Sequence, residues 1–144
     1  MSDTFVTKNI LKWYDLNKRS LPWRKNVSKE KRQYNTLISE FMLQQTQVAT
    51  VIPYFNKFVK EIPNIKKLAS VDNKKLIKLW EGLGYYSRAR NLKKAAQSVI
   101  KNFNGVIPDN FDDLKSLSGI GDYTANAILA IAFNKPYIPL DGNV

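Results

Sequence analysis

The sequence feature that most constrains this chain is a short turn with two glycines between two helical patterns. The turn spans 118–121 and holds Gly119 and Gly121; a short helix is predicted before it, at 111–117, and apolar residues recur at helical spacing after it, over 125–132. Alternating glycines let the backbone turn sharply and approach a ligand closely. The second helix would direct its first backbone N–H groups outward, where a phosphate can accept them. A plain connection between two helices fits these residues equally well.

The charge of the chain favours the phosphate interpretation of this turn. Lys and Arg number 23 and Asp and Glu number 12, which gives a formal net charge of +11. Such an excess predicts a polyanionic partner, most often nucleic acid, and salt-dependent binding. The basic residues are spread along the chain, so we expect a charged face on a folded body rather than a basic tail. A lysine-rich background composition is the alternative explanation.

The residue types that are missing narrow the possible chemistry. The chain has no Cys and no His, which excludes a structural zinc site, disulfides, iron–sulfur ligation and histidine acid–base catalysis within these residues. Proton transfer would then use a carboxylate, a lysine or a tyrosine. No apolar run approaches the roughly 18 residues of a membrane span, and the N-terminus lacks a signal-peptide pattern. We therefore expect a cytoplasmic, nucleoid-associated protein without a membrane partner.

Helical periodicity accounts for almost the whole chain. No strand-like alternation occurs, so we predict an all-α domain of about six to eight helices. Thr46 is a candidate cap for the helix predicted at 46–59, and Asn104 with Gly105 is a candidate end for the helix predicted at 85–103. Helices are predicted at 4–18, 34–45, 46–59, 74–80 and 85–103, with a basic loop at 26–32.

One predicted helix carries an isolated ionisable residue. The helix at 34–45 is apolar around most of its circumference, which is typical of a buried helix. Its single polar stripe consists of Thr36, Glu40, Gln44 and Gln47, and Glu40 is the only ionisable group on it. The pattern alone favours a solvated strip over a catalytic role for Glu40.

The segment 82–90 combines two glycines, two adjacent tyrosines, two arginines and a leucine that we expect to be exposed. Aromatic and apolar side chains beside cations are typical of proteins that unstack bases and hold a kinked duplex. Tyr85 and Tyr86 could equally be ordinary packing residues at the start of a helix.

Five motifs together resemble the adenine DNA glycosylases of the MutY type, within the endonuclease III (helix-hairpin-helix) superfamily. They are Leu-Pro-Trp-Arg at 21–24, Ser-Glu-Phe-Met-Leu-Gln-Gln-Thr-Gln-Val at 39–48, Gly-Leu-Gly-Tyr-Tyr-Ser-Arg-Ala-Arg-Asn-Leu at 82–92, the glycine turn, and Leu-Asp-Gly-Asn-Val at 140–144. The glycine turn is common to the superfamily, whereas the second and fifth motifs are specific to the adenine branch.

The resemblance implies an endonuclease III-like all-α fold. Residues 23–140 would form a six-helix domain that contains the helix-hairpin-helix at 111–133. Residues 1–22 would supply a helix of a split second domain, and residues 141–144 would begin the remainder of that domain.

The resemblance also implies a reaction. Members of this family remove adenine paired with 8-oxoguanine or guanine in double-stranded DNA by hydrolysing the N-glycosidic bond. Glu40 matches the general acid that protonates N7 of adenine, and Asp141 matches the carboxylate that stabilises the sugar cation. Tyr123 occupies the place of a lysine that forms a Schiff base in bifunctional relatives, so we expect base removal without lyase cleavage. We expect the protein to act as a monomer.

Other residues match family positions that bind the base or the duplex. The implied adenine pocket consists of Arg19, Trp23, Arg24, Leu43 and Val48. The implied DNA-binding residues are Gln44, Gln45, Thr46, Leu83, Gly84, Tyr85, Arg88, Gly119, Gly121 and Thr124.

Two features depart from the family pattern. The segment 29–34 is a few residues longer than the usual linker. Relatives continue past the position of Val144 with further helices and usually four cysteines, so a [4Fe–4S] cluster is expected in that part and none within this chain. Ile10 and Trp13 would then be partly uncovered and Asp141 poorly held. We therefore expect weak DNA binding and little turnover from this chain alone.

Two other functions remain open from the residues. One is a helical DNA-binding module without catalytic activity, and the other is a thymine- or pyrimidine-specific glycosylase.

Overall fold

Eight α-helices and one short 3-10 helix form the computed structural model, which describes residues 3–140. No strand occurs among these residues, so the predicted all-α class is confirmed. None of the helices within 3–140 has the length and apolar character to cross a bilayer. The helices are α1 Asp3–Asn17, α2 Lys29–Leu43, α3 Val48–Glu61, α4 Ile65–Ser70, α5 Asn73–Trp80, α6 Ser87–Asn102, α7 Phe111–Lys115 and α8 Asp122–Ala132, with the 3-10 helix at Pro22–Arg24.

Helix α2 lies at the centre of the molecule. It packs against α3, α6, α8 and the 3-10 helix, and Leu37, Ile38, Phe41 and Met42 on it are fully buried. A helix that is apolar nearly all round must be covered on every side to remove that surface from water. The predicted burial of this helix is therefore confirmed.

The bounds of α2 differ from the prediction. The helix begins at Lys29, so the predicted loop is wrong over 29–32. Ser28 is the N-cap, and its Oγ accepts a hydrogen bond from the backbone N–H of Lys31 at 3.3 Å. The carboxylate of Glu30 in the first turn also favours this start, because it complements the positive end of the helix dipole. The helix ends at Leu43, two residues before the predicted end.

Two other predicted helix boundaries are the end of α6 and the start of α3. Asn104 and Gly105 have φ of +54° and +77°, and the N–H of Gly105 donates to the carbonyl of Val99 at 3.0 Å. This geometry ends α6 as predicted. The prediction for Thr46 is wrong, because Gln47 is the N-cap of α3 and makes no capping hydrogen bond through its side chain.

Helix α1 stands in contrast to the other long helices. All of its side chains from residue 4 onward are exposed, with Trp13 at 64% and Ile10 at 60%. The expectation that its apolar residues are uncovered is therefore confirmed for 4–17. The assignment of this helix to a second domain stays a prediction, and residues 141–144, including Asp141, lie outside the described residues.

Candidate active site

A cavity of about 760 Å³ lies beside the C-terminal end of α2, next to the 3-10 helix and the start of α8. Its volume is in the range of pockets that enclose small organic ligands. All five residues predicted for the base pocket line it, together with Glu40, Tyr123 and the predicted duplex contacts 44–46. The lining consists of Arg19, Leu21, Trp23, Arg24, Glu40, Leu43, Gln44, Gln45, Thr46, Gln47, Val48, Tyr123, Ala127, Ile131 and Pro139.

The acid–base group of this cavity is Glu40. Its side chain is only 8% exposed because α2 is covered by its neighbours. Burial raises the pKa of the Glu40 carboxyl from 4.5 to about 7, and the nearby positive charge of Arg24 opposes part of that rise. A carboxyl with a pKa near 7 holds a proton for much of the time at neutral pH and can donate it. The solvated-strip alternative is excluded, since this part of the stripe is buried.

The apolar wall of the cavity is held by packing in the core. Trp23 is buried, and its ring meets the ring of Phe55 edge-on, with centroids 5.3 Å apart and an interplanar angle of 72°. Leu21, next to it in the chain, is buried as well. Arg19 and Arg24, in contrast, are exposed. The cavity therefore has a fixed aromatic side and a cationic rim.

Helix α8 contributes the remaining side of the cavity. Tyr123 is the second residue of this helix, and its side chain is partly exposed to the cavity. Two further lining residues, Ala127 and Ile131, follow at four-residue intervals. Neither residue is among the predicted pocket residues, although their spacing places them on the same helix face as Tyr123 and could have identified them.

The two glycines of the predicted turn serve different purposes. Gly119 has φ of +82°, and a Cβ there would lie 2.9 Å from both Phe41 Cε1 and Asn91 Cβ. Glycine is therefore required for the turn to pack on α2 and α6. Gly121 is the N-cap of α8, and nothing described lies within 4 Å of a Cβ added to it. This side of the turn is open to a ligand.

The turn is also tied directly to the cavity. The Nε2 of Gln44 donates to the carbonyl of Gly119 and to the Oγ1 of Thr124, both at 3.3 Å. Thr124 is buried, and its side chain joins α8 to the end of α2, while its predicted contact with DNA stays a prediction. Gln45 follows in the chain with φ of +61° and is exposed.

Two further predictions, both in the segment 82–90, differ from the structure. Leu83 is 7% exposed and belongs to the core, so the expected exposed leucine is wrong. Tyr85 is 63% exposed with φ of +48°, whereas Tyr86 packs against the core. Arg88 is buried and donates to backbone carbonyls, so it does not present a cation to DNA. Alone, the sequence could not show which of these residues turns inward.

The expected iron–sulfur cluster finds no ligands in this chain. The sequence has no cysteine, and residues 3–140 contain no cluster of three or more His, Cys, Asp or Glu that could hold a metal ion. No residue within 3–140 fits that group.

Comparison with known proteins extends these observations. The profile of the HhH-GPD superfamily of base excision DNA repair proteins matches residues 38–144. The adenine DNA glycosylase of Rattus norvegicus is 45% identical over 98% of this chain, and that of Buchnera aphidicola subsp. Baizongia pistaciae is 46% identical over 100% of it. The chain spans 28% and 40%, respectively, of the lengths of those two relatives.

Solved structures show the same fold. A thermostable thymine-DNA glycosylase superposes with a TM-score of 0.84 at 26% identity, over 97% of this chain and 63% of that one. Endonuclease III in a non-covalent DNA complex superposes with a TM-score of 0.77 at 21% identity, over 99% of this chain and 65% of that one. The second likeness supports the fold alone.

Proposed function

This chain belongs to the HhH-GPD superfamily of base excision DNA repair proteins, and we propose that it carries the adenine-removing site of a DNA glycosylase. The proposed reaction is hydrolysis of the N-glycosidic bond of adenine paired with 8-oxoguanine or guanine in double-stranded DNA. One observation carries the proposal: a buried carboxyl with a pKa of about 7, that of Glu40, lines a cavity of about 760 Å³ next to a helix-hairpin-helix turn. The names of the curated relatives support adenine as the base.

Adenine must leave the base stack before this carboxyl can reach it. The buried ring of Trp23 and the side chains of Leu43 and Val48 offer the extruded purine an apolar wall. The cationic rim and the net charge of +11 would hold the phosphates on either side of it. We infer that the duplex lies across the cavity, with the open side of Gly121 and the start of α8 against one phosphate.

The chemical step needs a proton for the leaving base. In the proposed reaction the bond between C1′ and N9 breaks, its electron pair leaves with adenine, and protonated Glu40 supplies a proton at N7. Water then adds to C1′ and loses a proton to the carboxylate left on Glu40, so that a free hydroxyl remains on the sugar and the acid is restored. Asp141 is the proposed carboxylate beside the sugar cation. Tyr123 has no amine and cannot form an imine, which accords with base removal without lyase cleavage.

The test is single-turnover release of adenine from a duplex that contains A·8-oxoguanine, with protein in excess. It uses the longest natural polypeptide that contains these residues. Glu40→Gln keeps the shape of the side chain but removes the proton donor, so we expect release to slow by about 10² to 10⁴-fold. Glu30→Gln changes an exposed residue of the same helix and should leave the rate within twofold.

The other outcomes separate the alternatives. Faster release from a T·G duplex than from A·8-oxoguanine would favour a thymine-specific enzyme, as the name of the superposed thymine-DNA glycosylase suggests. Tight duplex binding without release of any base would favour a non-catalytic DNA-binding module.

A further inference from the structure

A single buried cation connects two loops that are far apart in the chain. Arg88, in the first turn of α6, is 6% exposed. Its Nη1 donates to the carbonyls of Met42 and Gln44 at 2.7 and 2.5 Å and makes a longer contact with that of Phe41 at 3.2 Å. These carbonyls lie at the end of α2, where no intrahelical donor is available. One edge of the guanidinium therefore closes the helix that carries Glu40.

The other edge of the guanidinium holds the loop before α6. Nη2 of Arg88 donates to the carbonyl of Leu83 at 3.3 Å and to that of Gly84 at 3.1 Å. The rings of Trp80 and Tyr85 lie 5.5 and 5.7 Å from the guanidinium carbon, within the range of cation–π attraction. Burial lowers the pKa of Arg88, while Tyr85 acts in the opposite direction, and a guanidinium remains charged at neutral pH.

The residue after each anchored loop carbonyl has an uncommon backbone conformation. Gln45 follows Gln44 with φ of +61°, and Tyr85 follows Gly84 with φ of +48°. The only other non-glycine residues with positive φ among 3–140 are Asn104 and Asn134, and asparagine tolerates that region. Gln45 and Tyr85 are thus the two residues whose left-handed backbone conformation needs support from the surrounding structure.

Both of these residues are exposed on the surface. We propose that Arg88 is a positioning residue that holds the loops of Gln45 and Tyr85 in a fixed relation, so that these two exposed side chains together contact the mispair. This role rests on the function proposed above, since it assigns what the two exposed residues contact. It also explains why the buried residue is an arginine: only a planar fork with donors on two edges can hold the carbonyls of both loops at once.

The test compares Arg88→Lys with Arg90→Lys in the Glu40→Gln background, so that substrate stays intact. Arg90 is on the same helix and exposed, which makes it the matched control. The readout is the ratio of the Kd for an A·T duplex to the Kd for an A·8-oxoguanine duplex of the same sequence. Partial unfolding raises both Kd values by the same factor and cancels in the ratio.

We expect Arg88→Lys to lower this ratio by roughly tenfold or more, because lysine cannot hold both loops in register. Arg90→Lys should change it less than twofold. An unchanged ratio in Arg88→Lys, or an equal loss in both variants, would overturn the proposal. If the Glu40→Gln parent without a second substitution binds the A·T and A·8-oxoguanine duplexes with a Kd ratio near one, the proposed recognition of the mispair is contradicted instead.

A second measurement needs no Arg88 variant and no DNA. If one guanidinium ties the loops together, the backbone amides of 44–47 and 83–86 should become accessible to hydrogen exchange in one cooperative opening, with the same denaturant dependence. Separate openings of the two loops would overturn the proposal, whatever the protein binds. This readout therefore distinguishes a failure of the Arg88 link from a failure of the proposed function.

Discussion

Two helices of equal length, α1 and α2, have opposite relations to solvent. Each has 15 residues, but α1 exposes its apolar side chains, whereas α2 buries every side chain from 36 to 42, polar ones included. Trp13 on α1 is 64% exposed, whereas the carboxyl-bearing Glu40 on α2 is 8% exposed. The difference follows from the neighbours: α2 is covered by α3, α6, α8 and the 3-10 helix, while α1 makes no comparable packing among the described residues.

The comparison shows where the candidate chemistry originates. A glutamate on an exposed helix has an ordinary pKa and gives up its proton well below neutral pH. The same residue type on α2 loses water to the packed core, and this loss, opposed by Arg24, brings the pKa of Glu40 to about 7. The fold therefore makes the acid by covering the helix rather than by adding a catalytic partner.

The largest expected effect is the loss of stability when a buried side chain of the covered helix α2 is truncated. Phe41 is fully buried on α2, so Phe41→Ala should lower the free energy of unfolding by about 3–5 kcal/mol through lost burial and a cavity. Trp13→Ala on α1 removes a larger side chain but should change it by about 0.5 kcal/mol or less. Denaturant unfolding followed by circular dichroism measures both. Equal losses would show that α1 is covered in solution and would end the contrast between the helices.

The next effect is a pH dependence of the unfolding free energy that arises from Glu40 on the covered helix α2. The pKa of Glu40 is about 7 in the folded chain and 4.5 as a free side chain, so the folded state binds more protons between these values. Its contribution to stability is complete below about pH 4.5 and is lost as pH rises through 7, by up to about 3 kcal/mol. The unfolding free energy of wild type minus that of Glu40→Gln, measured from pH 4 to 8, should show this decline.

The same titration gives a kinetic check. If Glu40 donates the proton, adenine release should fall as pH rises above about 7, because the carboxyl becomes ionised. Arg24→Gln removes the charge that holds this pKa down and should move the fall to higher pH. A pH-independent ratio of the release rates of wild type and Glu40→Gln would show that Glu40 does not titrate near pH 7 and would contradict its role as the acid.

Sequence reasoning succeeded where a pattern is local. The all-round apolar character of α2 predicted its burial, and Asn104 with Gly105 predicted the end of α6, because both signals lie within a few consecutive residues. The start of α2 was missed although Ser28 with Glu30 two residues later is a recognisable helix-start signal. The basic residues around that signal favour a loop and outweigh it in the prediction.

Side-chain direction could not be predicted where it depends on distant contacts. Arg88 turns inward to donate to carbonyls at the end of α2. Because those acceptors lie more than 40 positions earlier in the chain, no local sequence pattern indicates them. Leu83 is buried for the same kind of reason. The five predicted pocket residues came from the family resemblance rather than from periodicity, and the roles given to Tyr123 and Asp141 stay predictions.

A smaller effect should come from the turn that covers α2. Gly119→Ala places a Cβ 2.9 Å from Phe41 Cε1 at a positive φ, so it should destabilise the fold by about 2 kcal/mol. Gly121→Ala meets nothing described within 4 Å and should change stability by about 0.5 kcal/mol or less, while weakening duplex affinity. Thermal unfolding measures the stability of both variants, and fluorescence anisotropy with labelled duplex measures their affinity for DNA. A similar destabilisation by both would mean that the turn does not rest on α2 through Gly119.

The smallest effect tests whether each helix start contributes to the cooperative fold. Ser28→Ala removes the hydroxyl that accepts from the N–H of Lys31, and should cost about 1 kcal/mol, since the first turn of α2 unfolds with the core. Thr4→Ala lies in the first turn of α1, which can fray without disturbing that core, so global unfolding should not register it. If Thr4→Ala lowers the unfolding midpoint as much as Ser28→Ala, α1 unfolds together with α2, and its exposed apolar face is part of the same cooperative unit.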